Sequence, residues 1–123
     1  YYEWRTQAGG GPKSPFYIQM ASKKPFVFAG LWEAWQPPAE EKPLLSCTII
    51  TCPANELLES VHHRMPVILG SEAYALWLDS AEHSSEDLDH LLQPYPSEEM
   101  GIHAVSRLMN HPDNNSPDCI LPV

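Results

Sequence analysis

Positive charge is scarce in this chain: seven lysines and arginines stand against sixteen aspartates and glutamates in 123 residues, a formal net charge of −9. A protein that grips nucleic acid over a broad face needs a basic patch, so the total speaks against that partner and leaves open only a local cationic spot. Long apolar runs are also missing. None approaches the roughly 20 residues that span a bilayer, so no membrane partner is expected. The sequence starts at Tyr1 without an initiator methionine and without a charged-then-apolar leader, and no secretory signal is expected. Cysteine is sparse, and Cys47, Cys52 and Cys119 are odd in number with no CxxC spacing. Free thiols in a reducing compartment are expected rather than a disulfide framework or a zinc site. The six histidines form no HExxH pattern or Cys/His ladder, and neither metal nor cofactor is expected.

What is present suits one domain over residues 1–123 with a modest core. Tyr1 to Arg5 reads as a strand and Gly9-Gly10-Gly11-Pro12 as a turn that lacks the strand-to-helix context of a phosphate loop. Pro15 to Met20 is a strand, Ser22 to Pro25 a turn, and Phe26 to Trp32 a buried strand in which Gly30 marks a bulge or a close backbone approach. Those two strands are expected to pair as a hairpin. Gln36 to Pro43 is an exposed loop and Cys47 to Thr51 a strand. Pro53 to Val61 suits a helix, with Pro53 at its first position and Leu57, Leu58 and Val61 on one face. Pro66 keeps Met65 out of helical geometry and opens an apolar strand to Leu69.

Further along, Ser71 can cap a helix from Glu72 to Leu78 that buries Leu76 and Trp77. Ser84 or Ser85 can cap another from Glu86 to Leu92, where first-turn acids complement the helix dipole. The acids otherwise collect at Glu40-Glu41, at Glu98-Glu99 and in the run from Glu82 to Asp89, bordered by Pro or Ser as solvated segments are. Pro94 and Pro96 end the second helix. Ile102 to Ser106 reads as a strand, Asn110 to Pro117 as a polar loop, and Cys119 to Val123 as a last apolar piece. Several strands with helices inserted late define an α+β chain rather than a repeating βαβ one.

Three titratable or charged side chains, His62, His63 and Arg64, stand just before the apolar run, and polar groups at the end of a buried scaffold are how sites are made. His62 is either a proton carrier or a histidine satisfying a core hydrogen bond. His63 is expected to diverge from it in helix or strand, which argues against a shared metal. Glu3, between Tyr2 and Trp4, is either an exposed edge carboxylate or one desolvated by aromatic rings and suited to proton transfer. Trp4 is a core residue or, beside Arg5, a stacking surface for single-stranded nucleic acid. No serine lies in a nucleophile elbow, and Cys52 reads as a half-buried, inert thiol. The residues thus offer a carboxylate, an imidazole and a guanidinium without naming the nucleophile they would serve.

Taken together the motifs resemble the SOS response-associated peptidase (SRAP) family, whose vertebrate members sense abasic sites in DNA. The resemblance rests on Tyr1-Tyr2-Glu3-Trp4-Arg5, on Pro25 to Trp35 (Pro-Phe-Val-Phe-Ala-Gly-Leu-Trp-Glu-Ala-Trp), and on Cys47-Thr48-Ile49-Ile50-Thr51. It continues in Val61-His62-His63-Arg64-Met65-Pro66-Val67-Ile68-Leu69, His103-Ala104-Val105-Ser106 and Asn115-Ser116-Pro117-Asp118-Cys119-Ile120. It implies a barrel-like core of mostly antiparallel strands with short helices. It also implies a reaction in which an N-terminal cysteine condenses, through amine and thiol, with the aldehyde of an opened abasic sugar. The product is a thiazolidine crosslink to single-stranded DNA, and the same cysteine is implied to release itself by cleaving a leading peptide. By position, Glu3 and His62 match the catalytic residues, Arg64 a phosphate-holding residue, and Trp4 and Thr51 positions near the DNA.

The resemblance covers only the C-terminal part of that domain. The N-terminal cysteine and the asparagine-arginine segment that accompanies it have no counterpart, and none of the three cysteines can replace an α-amine and thiol on one terminal residue. The 123 residues by themselves are therefore expected not to form the thiazolidine. A non-catalytic DNA-binding or interaction module that has lost the nucleophile is the alternative. The expected partner is single-stranded DNA with abasic sites, the expected state a monomer, and the expected location the bacterial cytoplasm at the nucleoid or a eukaryotic nucleus.

Overall fold

The computed structural model of the chain describes residues 1–81 and 83–123; Glu82, at the head of the expected acidic run, lies outside the described residues. Strand β1 (Tyr2–Arg5) turns at Gly9 and Gly10, whose φ angles of 91° and 79° favour glycine, into β2 (Ser14–Met20). Then come β3 (Val27–Phe28), β4 (Gly30–Trp35), β5 (Leu44–Ile49), β6 (Thr51–Pro53), β7 (Arg64–Pro66) and β8 (Ile68–Leu69). Two short helices, α1 (Tyr74–Trp77) and α2 (Ser85–Asp89), precede β9 (Met100–Ala104), and short 3-10 turns fill the connections.

The β1-β2-β9 sheet is antiparallel with β2 at its centre. Its register places Tyr2, Tyr17 and His103 side by side on one face and Glu3, Phe16 and Ala104 on the other. The second face turns inward. It carries Ile18, fully buried, with Met20 and Met100 beside it, and Tyr1 packs edge-on against Phe26 and Phe28. The C-terminal segment covers the first face: the Tyr2 hydroxyl donates to the Cys119 carbonyl at 3.3 Å, and His103 Nε2 lies 2.9 Å from the Ile120 carbonyl.

The remaining strands meet at a three-way junction. β3 pairs with β8, β4 with β5 and β6 with β7, and the breaks between these pairs fall at Ala29, Ile50 and Val67. The three break residues are bonded in a ring. Ala29 N–H donates to Val67, Val67 N–H to Ile50 and Ile50 N–H to Ala29, each at 2.9 Å. Ala29 and Val67 are fully buried there, so each strand changes partner without leaving a backbone group unpaired. Gly30 sits beside the junction because an added Cβ would lie 2.9 Å from the Thr48 carbonyl oxygen, the close backbone approach expected of it.

Mostly antiparallel strands with few short helices make the chain α+β, but the described strands do not close into the expected barrel; they form one three-stranded and three two-stranded sheets. The expected hairpin between residues 15–20 and 26–32 is absent as well. After Met20 the chain turns through Ser22 and Lys23 and leaves the sheet, so β2 pairs with β1 and β9 while β3 and β4 pair elsewhere. Pro53 does not begin a helix but ends β6, paired with Arg64. Asn55 takes the capping role, its side-chain oxygen accepting the Leu58 N–H at 3.1 Å, and only single turns form, with Glu59 N–H on Asn55 and His62 N–H on Leu58. Leu58 and Val61 are buried as their spacing required.

The later helices are shorter than expected. Gly70, not Ser71, caps the turn before α1, and Leu76 and Trp77 are half-buried. Ser84 caps α2 in a reciprocal box with Asp87, and hydrogen bonds from Ser84 hold that carboxyl below its usual range.

Candidate functional site

The loop between β6 and β7 is a fixed platform because Asn55 anchors it in the core. Besides accepting from Leu58, its amide donates to the Tyr95 carbonyl at 2.7 Å and to Met100 Sδ at 3.4 Å, so a buried polar side chain is fully engaged. Ala54 N–H bonds to the His63 carbonyl at 3.1 Å and extends the β6-β7 pairing to the foot of this loop. His62, His63 and Arg64 therefore leave a rigid base.

Arg64 and Thr51 are diagonal neighbours across β6-β7, both exposed. The guanidinium donates through Nε to the Thr51 hydroxyl at 3.0 Å, and through Nη2 to the same hydroxyl at 2.8 Å and to the Thr51 carbonyl at 2.5 Å. Among the described residues no carboxylate pairs with Arg64; the ion pairs are His83 with Asp79 and His111 with Asp113. A planar cation held by neutral partners keeps its charge and its remaining donors for an outside anion.

His62 is tied to the same strand. Its Nδ1 lies 3.2 Å from the Arg64 N–H, which donates to it, and 2.9 Å from the Arg64 carbonyl, to which it donates when protonated there. Either protonation state of Nδ1 thus has a partner, and the two neutral tautomers present opposite chemistry at Nε2, a lone pair in one and a proton in the other. His63 does not diverge as expected. The chain is in neither helix nor strand at this point, and the imidazoles lie 4.6 Å apart at 30°. No group of His, Cys, Asp or Glu among the described residues is arranged to hold a metal.

Glu3 stands on the inward face of β1, half-buried, with Tyr1 before it and Arg5 after it. The Arg5 guanidinium lies 4.6 Å from the centroid of the Phe16 ring. No hydrogen bond or ion pair among the described residues joins Glu3 to His62. Burial pushes the Tyr1 phenol well up, and the neighbouring charges of Glu3 and then Cys52 push it further. Burial likewise raises the Cys52 thiol, against the lowering influence of Arg64. The Tyr1 hydroxyl has no hydrogen-bond partner among the described residues.

Trp4 faces away from Glu3, its indole N–H donating to Asn110 Oδ1 at 2.8 Å, with 37% of its surface exposed. The structure therefore brings Thr51, His62 and Arg64 together on one hairpin and sets Glu3 and Trp4 on opposite faces of another strand. Tyr1, which the sequence marked only as part of the first motif, flanks Glu3, and Asn110, which no sequence pattern signalled, accepts from Trp4. Hollows of about 460 and 440 Å³ open beside Gly70, Ser71, Tyr95 and Glu99 and carry no residue of this cluster, whose Thr51 and Arg64 are exposed and His62 half-exposed.

The fold itself occurs in known proteins. Residues 1–112 match the family model described as SOS response associated peptidase (SRAP), and the chain belongs to that family. It is 45% identical over 120 residues to the abasic site processing protein YoqW of Bacillus subtilis, covering 98% of this chain and 53% of that protein. It is 34% identical to the abasic site processing protein HMCES of Gallus gallus, covering all of this chain and 41% of that one. A crystal structure of a protein from Bacteroides thetaiotaomicron superposes with a TM-score of 0.88 at 28% identity, over 100% of this chain and 53% of that chain. The chain thus spans about half the length of the relatives it matches.

Proposed function

We propose that this chain is the C-terminal part of an abasic-site processing protein that crosslinks to abasic single-stranded DNA, with Glu3 and His62 moving protons and Arg64, Thr51 and Trp4 holding the strand. The observation that carries the reading is the Arg64-Thr51-His62 cluster, an anion-ready guanidinium and a tautomerically supported imidazole on one hairpin, in a chain whose relatives are named for this processing. An arginine that grips phosphate without reaching bases gives little sequence preference, as a lesion processor requires. One cationic contact on a body of charge −9 confines DNA to a small area.

The nucleophile is a terminal cysteine outside these 123 residues. Cys52 and Cys119 are buried and Cys47 lies on β5, and none carries a free α-amine. In the proposed sequence its amine attacks the aldehyde carbon and yields its proton to a carboxylate or imidazole. The protonated partner passes that proton to the oxygen to give the carbinolamine, the same relay carries the second N–H proton to the hydroxyl as water leaves, and the thiol adds across the resulting C=N bond, sulfur to carbon and proton to nitrogen, to close the ring. The Nδ1 contacts of His62 suit it to alternate between these tasks. Autocleavage of a leading peptide would use the same terminal thiol.

The test is crosslinking of a single-stranded abasic oligonucleotide by the longer protein that contains this chain, read as a covalent shift on a denaturing gel. His62→Ala slows formation or reversal by about 10²-fold, the usual range for one lost proton-transfer group. Arg64→Ala weakens binding and reduces the salt slope by about 0.7, one phosphate contact on a single strand. Unchanged crosslinking and reversal in His62→Ala removes that residue from the mechanism, and a longer protein that binds DNA without crosslinking leaves the non-catalytic module as the better reading.

A further inference from the structure

The β4-β5 ribbon carries large apolar side chains that stay more than half exposed, with Trp77, Leu78 and Leu88 facing Leu31 and Trp32 across an open hollow. Every residue of β5, and every residue of β4 after Gly30, is exposed, and Trp32 and Leu45 reach 76% and 67%. The register divides them between two faces: Trp32, Leu45 and Ile49 on one, Leu31, Trp35 and Leu44 on the other. Together they present on the order of 700 Å² of apolar surface, about half of it on each face, so each face by itself is as large as the biggest apolar patch of many soluble monomers. A two-stranded ribbon is also marginal in water unless a third strand or a packed layer supports it. Among the described residues no third strand is present, since β4 and β5 pair only with each other.

The two-faced distribution restricts what can cover the ribbon. A two-fold contact with a second copy covers one face and brings together two bodies of charge −9. Single-stranded DNA could stack on the indoles, but neither strand holds a lysine or arginine and Glu33 lies between the tryptophans. Polypeptide that encloses the ribbon on both sides meets the requirement, and relatives of this fold have it: the chain covers 53% of YoqW and 53% of the Bacteroides protein, so each carries nearly as much polypeptide again.

We propose that the β4-β5 ribbon is the seat of the additional polypeptide by which the relatives exceed this chain, which closes over both faces within one domain. The inference rests on the reading that the chain is part of a longer protein, and not on abasic-site chemistry. Cys47 reports on it directly, being an exposed thiol in register with Trp32 on the more apolar face.

The experiment is alkylation of the native longer protein with iodoacetamide, with Cys47 separated from Cys52 and Cys119 by peptide mass spectrometry. Cys47 is expected to react at least about tenfold more slowly than in the urea-unfolded protein, unchanged over a roughly hundredfold dilution and without DNA. Reaction at the unfolded rate shows the ribbon bare and overturns the proposal. Protection lost on dilution assigns the ribbon to a second copy, and protection that needs single-stranded DNA assigns it to nucleic acid; either overturns it too. Crosslinking is not read in this experiment, so its outcome and that of the His62→Ala test separate cleanly.

Discussion

Replacing Asn55 by alanine tests whether the platform under His62 and Arg64 is held as described. The substitution leaves the Tyr95 carbonyl without its donor at 2.7 Å and removes the weaker contact to Met100 Sδ. The Leu58 N–H loses the side-chain oxygen at 3.1 Å but keeps the Asn55 carbonyl at 3.0 Å, so that loss is partial. An orphaned part-buried carbonyl with a weakened cap costs about 2–3 kcal/mol, which for a chain of this size lowers Tm by roughly 10 °C. Urea unfolding followed by tryptophan fluorescence measures it. Asn55→Asp separates the two roles: it keeps the acceptor for Leu58 but not the donors, so it is expected to recover little of the loss. A cost below about 0.5 kcal/mol for Asn55→Ala, the size of an ordinary surface change, would refute the anchoring role.

Gly30→Ala places a Cβ at 2.9 Å from a backbone oxygen and should destabilise by about 1–3 kcal/mol, read in the same assay; a neutral result would mean the junction is plastic. Tyr1→Phe removes a buried hydroxyl with no partner and should leave stability equal or raise it by up to about 1 kcal/mol. It should also flatten the alkaline limb of the stability curve. The folded phenol titrates above the unfolded one, so its contribution is complete below about pH 10 and is lost as the unfolded phenol ionises above it. Identical alkaline limbs for wild type and Tyr1→Phe would contradict the burial of that group.

The strands and the family were legible because each rests on local pattern: short aromatic and apolar runs at 1–5 and 15–20, and the His62-His63-Arg64-Met65-Pro66 block. Pairing was not. Adjacent strands pair by default, and residues 15–20 and 26–32 fit that rule until the junction at Ala29 takes the second strand to two other partners. Pro53 fits a helix start by itself, and only the tertiary contact of Asn55 with Tyr95 and Met100 shows where the turn begins. The stacking of His62 on His63 needed a backbone bend that neither helix nor strand geometry contains.

Sharing three backbone hydrogen bonds among Ala29, Ile50 and Val67 has a mechanical consequence. A displacement of β7 pulls on two other strands at once, so the base under His62 and Arg64 yields only when all three spokes yield. Amide exchange at these positions then reports global unfolding, not local breathing. On the proposed reading, the flexibility that admits a DNA strand resides in the exposed side chains and not in the hub that carries them.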